Sequence, residues 1–248
     1  MAANFKDQVR LFMIFDILGD TLRSGPLLWK VNRKRLEDVK NHTFDLILMY
    51  RMLRSYLPSR LDDSLVIDYM IIHDLPEAIT GDITKFEGIS DKERSRVTNL
   101  AIQYLIDTFN DILDFKKLFS NFEGKFDLEA KVVSLFDAVH SSTTFLKYSS
   151  EGKIDSNNAD IIPELLPYVE LAKKQNKDIG DIFYDYHRKR ICFSEDECKK
   201  YGIEVSEACY IETVIKDFMD EFYKQKLNST LLTIKEDFPK DATKYRHF

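Results

Sequence analysis

Two adjacent residues, His73 and Asp74, have side chains that are able to bind a metal ion. They close the apolar segment 65–72, where polar groups cost free energy unless they have partners. A neutral imidazole and a carboxylate are both suitable ligands for a divalent transition metal. The alternative is a buried hydrogen bond between the two side chains, with Glu77 and Asp82 in solvent.

Two distant residues, His42 and Asp137, supply the donors that such a site would still need. His42 lies early in a predicted helix, and Asp137 lies in the apolar stretch 132–139, where an unpaired carboxylate is costly. With the adjacent pair, they provide two imidazoles and two carboxylates from three helices. This donor set favours manganese, iron, cobalt, nickel or zinc over a metal that prefers cysteine.

Two acidic residues follow the pair at spacings that bring them to the same side. Neighbouring helical residues are splayed by about 100°, so His73 and Asp74 can converge on one ion only at a helix end. Glu77 lies four residues after His73 and three after Asp74, so it would lie on the same side if the helical turn continued. Gly81 is a predicted helix C-cap, after which Asp82 could return toward the same point.

The elements that must position these residues are predicted to be helices. Glycine (8) and proline (6) are scarce, and apolar residues recur at spacings of three and four. The first helix is expected to bury one face, which comprises Phe12, Phe15, Leu18 and Leu22. Helices are predicted at about 5–22, 39–57, 62–73, 90–112, 126–148, 161–176, 178–188 and 206–226.

A polar stretch that begins near residue 149 predicts a division of the chain. Residues 1–150 are expected to form the functional core, because all the candidate site residues lie there. Residues 151–248 are expected to form a helical extension that packs on this core and ends in a polar tail. The sequence predicts no role for the extension.

Composition excludes several functional classes. The net charge of −6 and pI near 5.5 argue against nucleic-acid binding, and no apolar run has the length of a membrane span. Three cysteines without a CxxC spacing predict reduced thiols in a cytoplasmic protein. Because the chain has no glycine-rich phosphate loop and no GxSxG, it is not expected to be a nucleotide-triphosphate motor, a dinucleotide enzyme or an acyl hydrolase.

The order of the four candidate ligands resembles the H…HD…D signature of the HD-domain metal-dependent phosphohydrolases. Residues 73–82 are similar to the HDxxExxxGD segment of the 5′-deoxynucleotidase branch of that family, and residues 37–42 to its E-x-V-x-E-H stretch. The resemblance covers about residues 10–150. It implies an all-α fold, an HD-domain helical bundle with a C-terminal helical extension.

The resemblance also implies a cofactor and its ligands. One divalent metal ion (manganese, cobalt, iron, nickel, zinc or magnesium) would be bound by His42, His73, Asp74 and Asp137. Binuclear members of the superfamily have further histidines between the HD pair and the last aspartate. This chain has none there, so one ion is expected. His140, one helical turn past Asp137, either reaches the site or only packs nearby.

Further roles follow from the same resemblance. In the branch, the glutamate after the HD pair and the GD aspartate serve catalysis, which points to Glu77 and Asp82 here. A basic residue before the first ligand helix contacts the phosphate, which points to Arg23 or Lys30. Trp29 could stack on a nucleobase, although a lone tryptophan more often anchors a loop. The implied partners are a small-molecule nucleotide and a second copy of the chain in a homodimer.

The function predicted from these residues is hydrolysis of (deoxy)ribonucleoside 5′-monophosphates by a metal-dependent 5′-nucleotidase. One alternative is an HD-type phosphodiesterase or a nucleotide-alarmone hydrolase. Another is a non-catalytic nucleotide-binding HD domain, favoured by Asn41 and Ser134, which stand where the branch commonly has glutamate and lysine. Ser24 and Gly25 occupy the place of an Arg-Trp pair that discriminates sugars in some members, so the sugar preference stays open.

Overall fold

The described part of the computed structural model, residues 5–28, 31, 36–83, 88–150, 154 and 166–227, consists of helices joined by turns and loops, with one isolated bridge between Leu22 and Asp38. The predicted all-α fold is confirmed. Within these ranges, no helix combines the length and apolar character needed to cross a membrane. The helices are α1 Phe5–Ile17, α2 Ser24–Leu28, α3 Val39–Leu53, α4 Asp63–Ile72, α5 Glu77–Thr80, α6 Asp91–Phe109, α7 Phe115–Gly124, α8 Leu128–Ser150, α9 Leu166–Gln175, α10 Ile179–Arg190, α11 Glu195–Tyr201 and α12 Val205–Leu227.

Helix α8 is the centre of the bundle. It packs against α3, α4, α10 and α12, so its apolar side chains are buried on several sides rather than along one stripe. Val132, Val133, Phe136, Val139 and Leu146 are all buried. A polar residue on this helix therefore lies between neighbouring helices, where it needs a partner.

Capping residues set where two of the three ligand-bearing helices, α3 and α4, begin. The Asp38 side chain accepts a hydrogen bond of 2.8 Å from the backbone N–H of Asn41, at the start of α3. The Asp62 side chain accepts bonds of 3.0 and 3.2 Å from the backbone N–H groups of Ser64 and Leu65, at the start of α4. Helix α4 then ends at Ile72.

The first helix differs from its prediction. It ends at Ile17, where the backbone N–H of Gly19 donates to the Asp16 carbonyl at 3.0 Å and closes a turn. Phe12 is 69% exposed and Leu22 is 41% exposed, so the predicted core face was wrong at both positions. The buried residues are Leu11 and Leu18, because the face of α1 is selected by its packing against α5 and α6.

Four short helices, α2, α5, α7 and α11, lie outside the predicted helical ranges, and the last two have clear capping residues. Helix α7 is capped by Asp114, whose side chain accepts from the Lys117 N–H at 3.1 Å, and it buries three apolar residues, Phe115, Leu118 and Phe119. Helix α11 is capped by Ser194, which forms a reciprocal capping box with Glu197. Both helices are short, so their apolar periodicity spans too few turns to be distinguished from a loop.

The contact between Tyr69 and Asp127 joins α4 to the start of α8 and supports a stability prediction. The buried Tyr69 donates to Asp127 Oδ2 at 2.6 Å, while Asp127 Oδ1 accepts from the Ala130 N–H at 2.8 Å. Tyr69→Phe removes one hydrogen bond, so we expect the free energy of unfolding to fall by about 1 kcal/mol. Denaturant unfolding measures this change. Tyr210→Phe, at a 52% exposed tyrosine, is the control, and equal losses in both variants would contradict the prediction.

Candidate metal centre

Three helices bring the four predicted ligands to one point. His42 projects from α3 and Asp137 from α8, while His73 and Asp74 directly follow α4. His42 Nε2 lies 3.2 Å from Asp137 Oδ1 and 3.5 Å from Asp74 Oδ2. His73 Nε2 lies 3.1 Å from Asp74 Oδ2 and 3.4 Å from His42 Nε2. The adjacent pair can converge because it stands at a helix end.

The spacing of these donors fits the coordination of one ion. Two ligand atoms that are each about 2.1 Å from a metal, at roughly a right angle, are about 3 Å apart. The observed separations of 3.1–3.5 Å are close to this value. Asp137 Oδ1 is buried and makes no hydrogen bond within the part of the chain that the structure describes. A divalent cation would satisfy this oxygen and both imidazole nitrogens together.

The protonation states of His42 and Asp137 favour a cation. Burial, followed by the charge of Arg23, lowers the pKa of His42 to about 3, so this imidazole is neutral. Burial alone would raise the pKa of Asp137, but contact with His42 and the charge of Arg23 lower it below its usual range. The Asp137 side chain is 42% exposed although its Oδ1 is buried. One oxygen thus faces the donors while the rest of the carboxylate is accessible.

Arg23 provides the positive charge beside the donors. It donates to Asp74 Oδ2 at 3.1 Å and to Ser141 Oγ at 3.3 Å, and it lies 4.0 Å from Asp137 Oδ1. Its backbone N–H donates to the Glu37 carbonyl at 3.0 Å, which holds the segment before α2 against the start of α3. Burial lowers the pKa of Arg23, but the nearby carboxylates raise it more, so the guanidinium stays charged.

Glu77 and Asp82 lie next to the donor cluster. Glu77 is the first residue of α5, and its Oε2 is buried without a hydrogen bond among the described residues. Burial and the charges of Asp74 and Asp82 raise the pKa of Glu77 well above its usual value. Gly81 has a φ of +75°, which turns the chain so that Asp82 accepts from the Ser24 backbone N–H at 2.7 Å.

Comparison with known proteins identifies the family of this chain. The HD domain family matches residues 15–187. The chain belongs to this family. The predicted family is thereby confirmed, and the match extends past residue 150 into α10.

Individual relatives are more distant. The chain is 26% identical to the 5′-deoxynucleotidase HDDC2 of Xenopus laevis over 141 residues, 56% of this chain and 69% of that protein. A conserved hypothetical protein from Pyrococcus furiosus superposes with a TM-score of 0.50 at 21% identity, over 66% of this chain and 99% of the other. A predicted metal-dependent phosphohydrolase from Magnetospirillum magnetotacticum MS-1 superposes with a TM-score of 0.51 at 16% identity, over 79% and 93%. At these identities the two structures support the fold alone.

We call the cluster of His42, His73, Asp74 and Asp137 the HD centre. It opens into a cavity of about 710 Å³. Its floor contains Arg23, His73, Asp74, Asp82 and Asp137. Its walls come from α7 and the residue after it, and from α9 and α10, and include Phe122, Glu123, Lys125, Tyr168, Phe183, Tyr186, His187 and Arg190. These wall residues line the cavity through packing between helices, which local sequence patterns do not specify. The predicted substrate contacts Trp29 and Lys30 lie outside the described residues.

His140 lies behind one ligand of the HD centre. Its Nδ1 is 2.8 Å from His42 Nδ1, and its Nε2 is 3.3 Å from Asp45 Oδ2 and 3.7 Å from Glu37 Oε1. If His140 donates from Nε2 to Asp45 Oδ2, its Nδ1 accepts from the N–H of His42 Nδ1. The Nε2 lone pair of His42 then points at the other donors, which is the tautomer that a metal requires.

The contact between His140 and His42 predicts an effect on metal affinity. His140→Phe keeps a buried ring but removes the acceptor that orients His42, so we expect the dissociation constant for Mn²⁺ or Co²⁺ to rise by about 10- to 100-fold. Competition with a chromophoric chelator measures it. His187→Phe is the control, because His187 Nδ1 bonds at 2.9 Å to the carbonyl of Phe183 in its own helix. If His140→Phe binds the metal as tightly as the wild type, His140 does not orient His42 and contributes only packing.

Proposed function

We propose that this HD-domain protein is a 5′-nucleotidase that hydrolyses (deoxy)ribonucleoside 5′-monophosphates to a nucleoside and phosphate. The family is one of metal-dependent phosphohydrolases, and the similar protein from Xenopus laevis is named a 5′-deoxynucleotidase. The observation that carries the proposal is Glu77 Oε2, which is buried without a hydrogen bond among the described residues and lies beside the donor cluster. The charges of Asp82 and Arg23 both act on the pKa of Glu77. This arrangement joins a proton acceptor, an anion-binding group and a metal-binding donor set.

The residues of the site divide the steps of phosphomonoester hydrolysis among them. A divalent ion, if held by the four donors, would polarise a phosphoryl oxygen of the substrate and lower the pKa of a water molecule. Arg23 is positioned to neutralise charge that develops on the phosphoryl group. Glu77 has a raised pKa, which suits a carboxylate that takes a proton from the attacking water near neutral pH.

The leaving group needs a proton when the bond between phosphorus and the ester oxygen breaks. The new bond forms between the water oxygen and phosphorus, and the proton that water loses balances the proton that the nucleoside hydroxyl gains. Asp82 lines the same cavity as Arg23 and is proposed to assist this proton transfer. Its bond from the Ser24 backbone N–H holds its carboxylate at the edge of the floor.

Replacement of the two proposed acid–base residues should separate chemistry from metal binding. Glu77→Gln and Asp82→Asn remove the carboxylates but no ligand, so we expect full metal content with kcat lowered by about 10²- to 10⁴-fold. His73→Ala and Asp137→Ala are expected to lose both metal and activity. Metal analysis and phosphate release are measured on the same preparations.

Glu123→Gln is the matched control, since Glu123 lines the cavity without contributing to the donor cluster. Its kcat should stay within a few-fold of the wild type. Unchanged metal content and activity in both His73→Ala and Asp137→Ala would overturn the proposal.

A substrate panel distinguishes the other candidate functions. It compares deoxyribonucleoside monophosphates, ribonucleoside monophosphates, cyclic nucleotides and pyrophosphorylated guanosines with cobalt, manganese and magnesium. Activity confined to the last two substrate classes would favour a phosphodiesterase or an alarmone hydrolase. Saturable nucleotide binding with intact metal and no turnover would favour a non-catalytic domain. The metal identity, the cytoplasmic location and the division near residue 150 stay predictions.

Exposed apolar residues on α1 and on α3 are candidate contacts for the proposed homodimer. Exposed apolar side chains recur along both helices, as they do where a second chain is bound. They include Phe5, Phe12, Met13, Leu48 and Met52. The predicted homodimer would remove these side chains from water.

Charge introduced at these positions should therefore dissociate the dimer. We expect light scattering to give the wild type a mass near twice the 29.1 kDa of one chain. Phe12→Glu and Met52→Glu should shift it toward the single-chain mass, because burial of a carboxylate in an apolar interface is costly. Leu100→Glu, at an exposed leucine of α6, should have no effect. A wild type that remains a single chain would contradict the dimer.

A further inference from the structure

The cavity above the HD centre is larger than a phosphate needs. Its volume of about 710 Å³ lies within the roughly 300–1,000 Å³ of sites that hold whole small molecules. The metal-ligand candidates lie on its floor, whereas its walls carry aromatic rings together with the charged Glu123, Lys125 and Arg190. The floor and the ring-bearing walls are therefore suited to different parts of a ligand.

Four rings form the aromatic side, which we call the aromatic wall: Tyr168 of α9 and Phe183, Tyr186 and His187 of α10. The ring centroids of Tyr168 lie 5.6 Å from Phe183 and 5.5 Å from Tyr186, and Phe183 lies 6.1 Å from His187. Residues three and four apart share a helix face, so the three rings of α10 point the same way. Tyr168, Tyr186 and His187 are only partly buried, which leaves ring surface open to the cavity.

The aromatic wall is anchored to the same helix that carries Asp137. Phe183 is buried and stacks on Phe145 of α8, with ring centroids 4.3 Å apart. Phe145 lies two helical turns past Asp137, a separation on the order of 10 Å along α8. A ligand with its phosphate at the donors could therefore place a second group, one sugar away, against the wall.

Phe122 of α7 and Arg190 also line the cavity. The ring centroid of Phe122 is 6.2 Å from that of His73. At the rim, the Arg190 guanidinium lies 5.2 Å over the Tyr186 ring and donates to its hydroxyl, which holds that ring in place. A flat aromatic group stacks well on such rings, whereas a bare sugar offers no π-face.

We propose that the aromatic wall of α9 and α10 binds the nucleobase of the substrate, which gives the segment after residue 150 a role in substrate selection. This inference rests on the proposed nucleotidase function and goes beyond it. The wall selects phosphomonoesters that carry a planar ring over sugar phosphates that lack one. Because stacking tolerates every base, the wall requires a base without choosing among bases.

The experiment compares deoxyadenosine 5′-monophosphate with 2-deoxyribose 5-phosphate, which lacks the base. For the metal-loaded full chain, we expect kcat/KM to be at least about 10-fold higher for the nucleotide than for the abasic phosphate, because stacking of the base on the rings stabilises the bound nucleotide. Tyr186→Leu and Tyr168→Leu should lower kcat/KM for the nucleotide by about 5- to 100-fold and leave the value for the abasic phosphate within about twofold. Tyr186→Phe keeps the ring and should retain most of the nucleotide activity.

The controls separate stacking from damage to the fold. Tyr210→Leu removes an exposed tyrosine of α12 outside the cavity lining and should change neither substrate. Retained activity on the abasic phosphate reports an intact HD centre in each variant. Equal losses on both substrates, or a wild type that hydrolyses both equally well, would overturn the role of the aromatic wall.

If the wild type hydrolyses neither compound, the proposed nucleotidase function is contradicted rather than the role of the aromatic wall. The wall is then tested by calorimetric titration of the same two compounds into the metal-loaded chain. Binding of the nucleotide at least about 10-fold tighter than that of the abasic phosphate, with the difference lost in Tyr186→Leu, would support the wall. Equal binding of the two compounds would overturn it.

Discussion

The burial of polar groups within an apolar bundle is the constraint on which this structure depends. His42 is fully buried, and Asp137 Oδ1 has no hydrogen bond among the described residues, although α8 is packed on several sides by apolar helices. Such groups are tolerated when opposite charge or a shared ligand compensates for lost hydration. Arg23 supplies part of this compensation, and the convergence of four donors provides for a cation that supplies the rest.

Helix ends give the site its geometry. His73 and Asp74 could not both face one ion from inside a helix, but they stand where α4 ends and the chain turns into α5. The left-handed backbone at Gly81 then brings Asp82 to the Ser24 N–H. The contacts across α2, α4 and α5 thus hold Arg23, Asp74 and Asp82, which come from separate segments, at one cavity floor.

Helix α8 sets the distance between the metal-ligand candidates and the aromatic wall. Asp137 faces the donors, and Phe145, further along the same helix, supports the aromatic wall of α10. Their separation is set by the rise of a single rigid helix. The family match across residues 15–187 includes α10, in agreement with a site that uses side chains from both sides of residue 150.

The sequence by itself determined the helical class, because periodicity is a local property, and its resemblance to the H…HD…D signature predicted the family and the grouping of His42, His73, Asp74 and Asp137. The buried face of α1, the Ser24–Asp82 contact, the position of His140 behind His42 and the aromatic wall were decided only by the tertiary structure. Each depends on which helix packs against which. A partly apolar helix is compatible with several neighbours, and only the assembled core selects one of them.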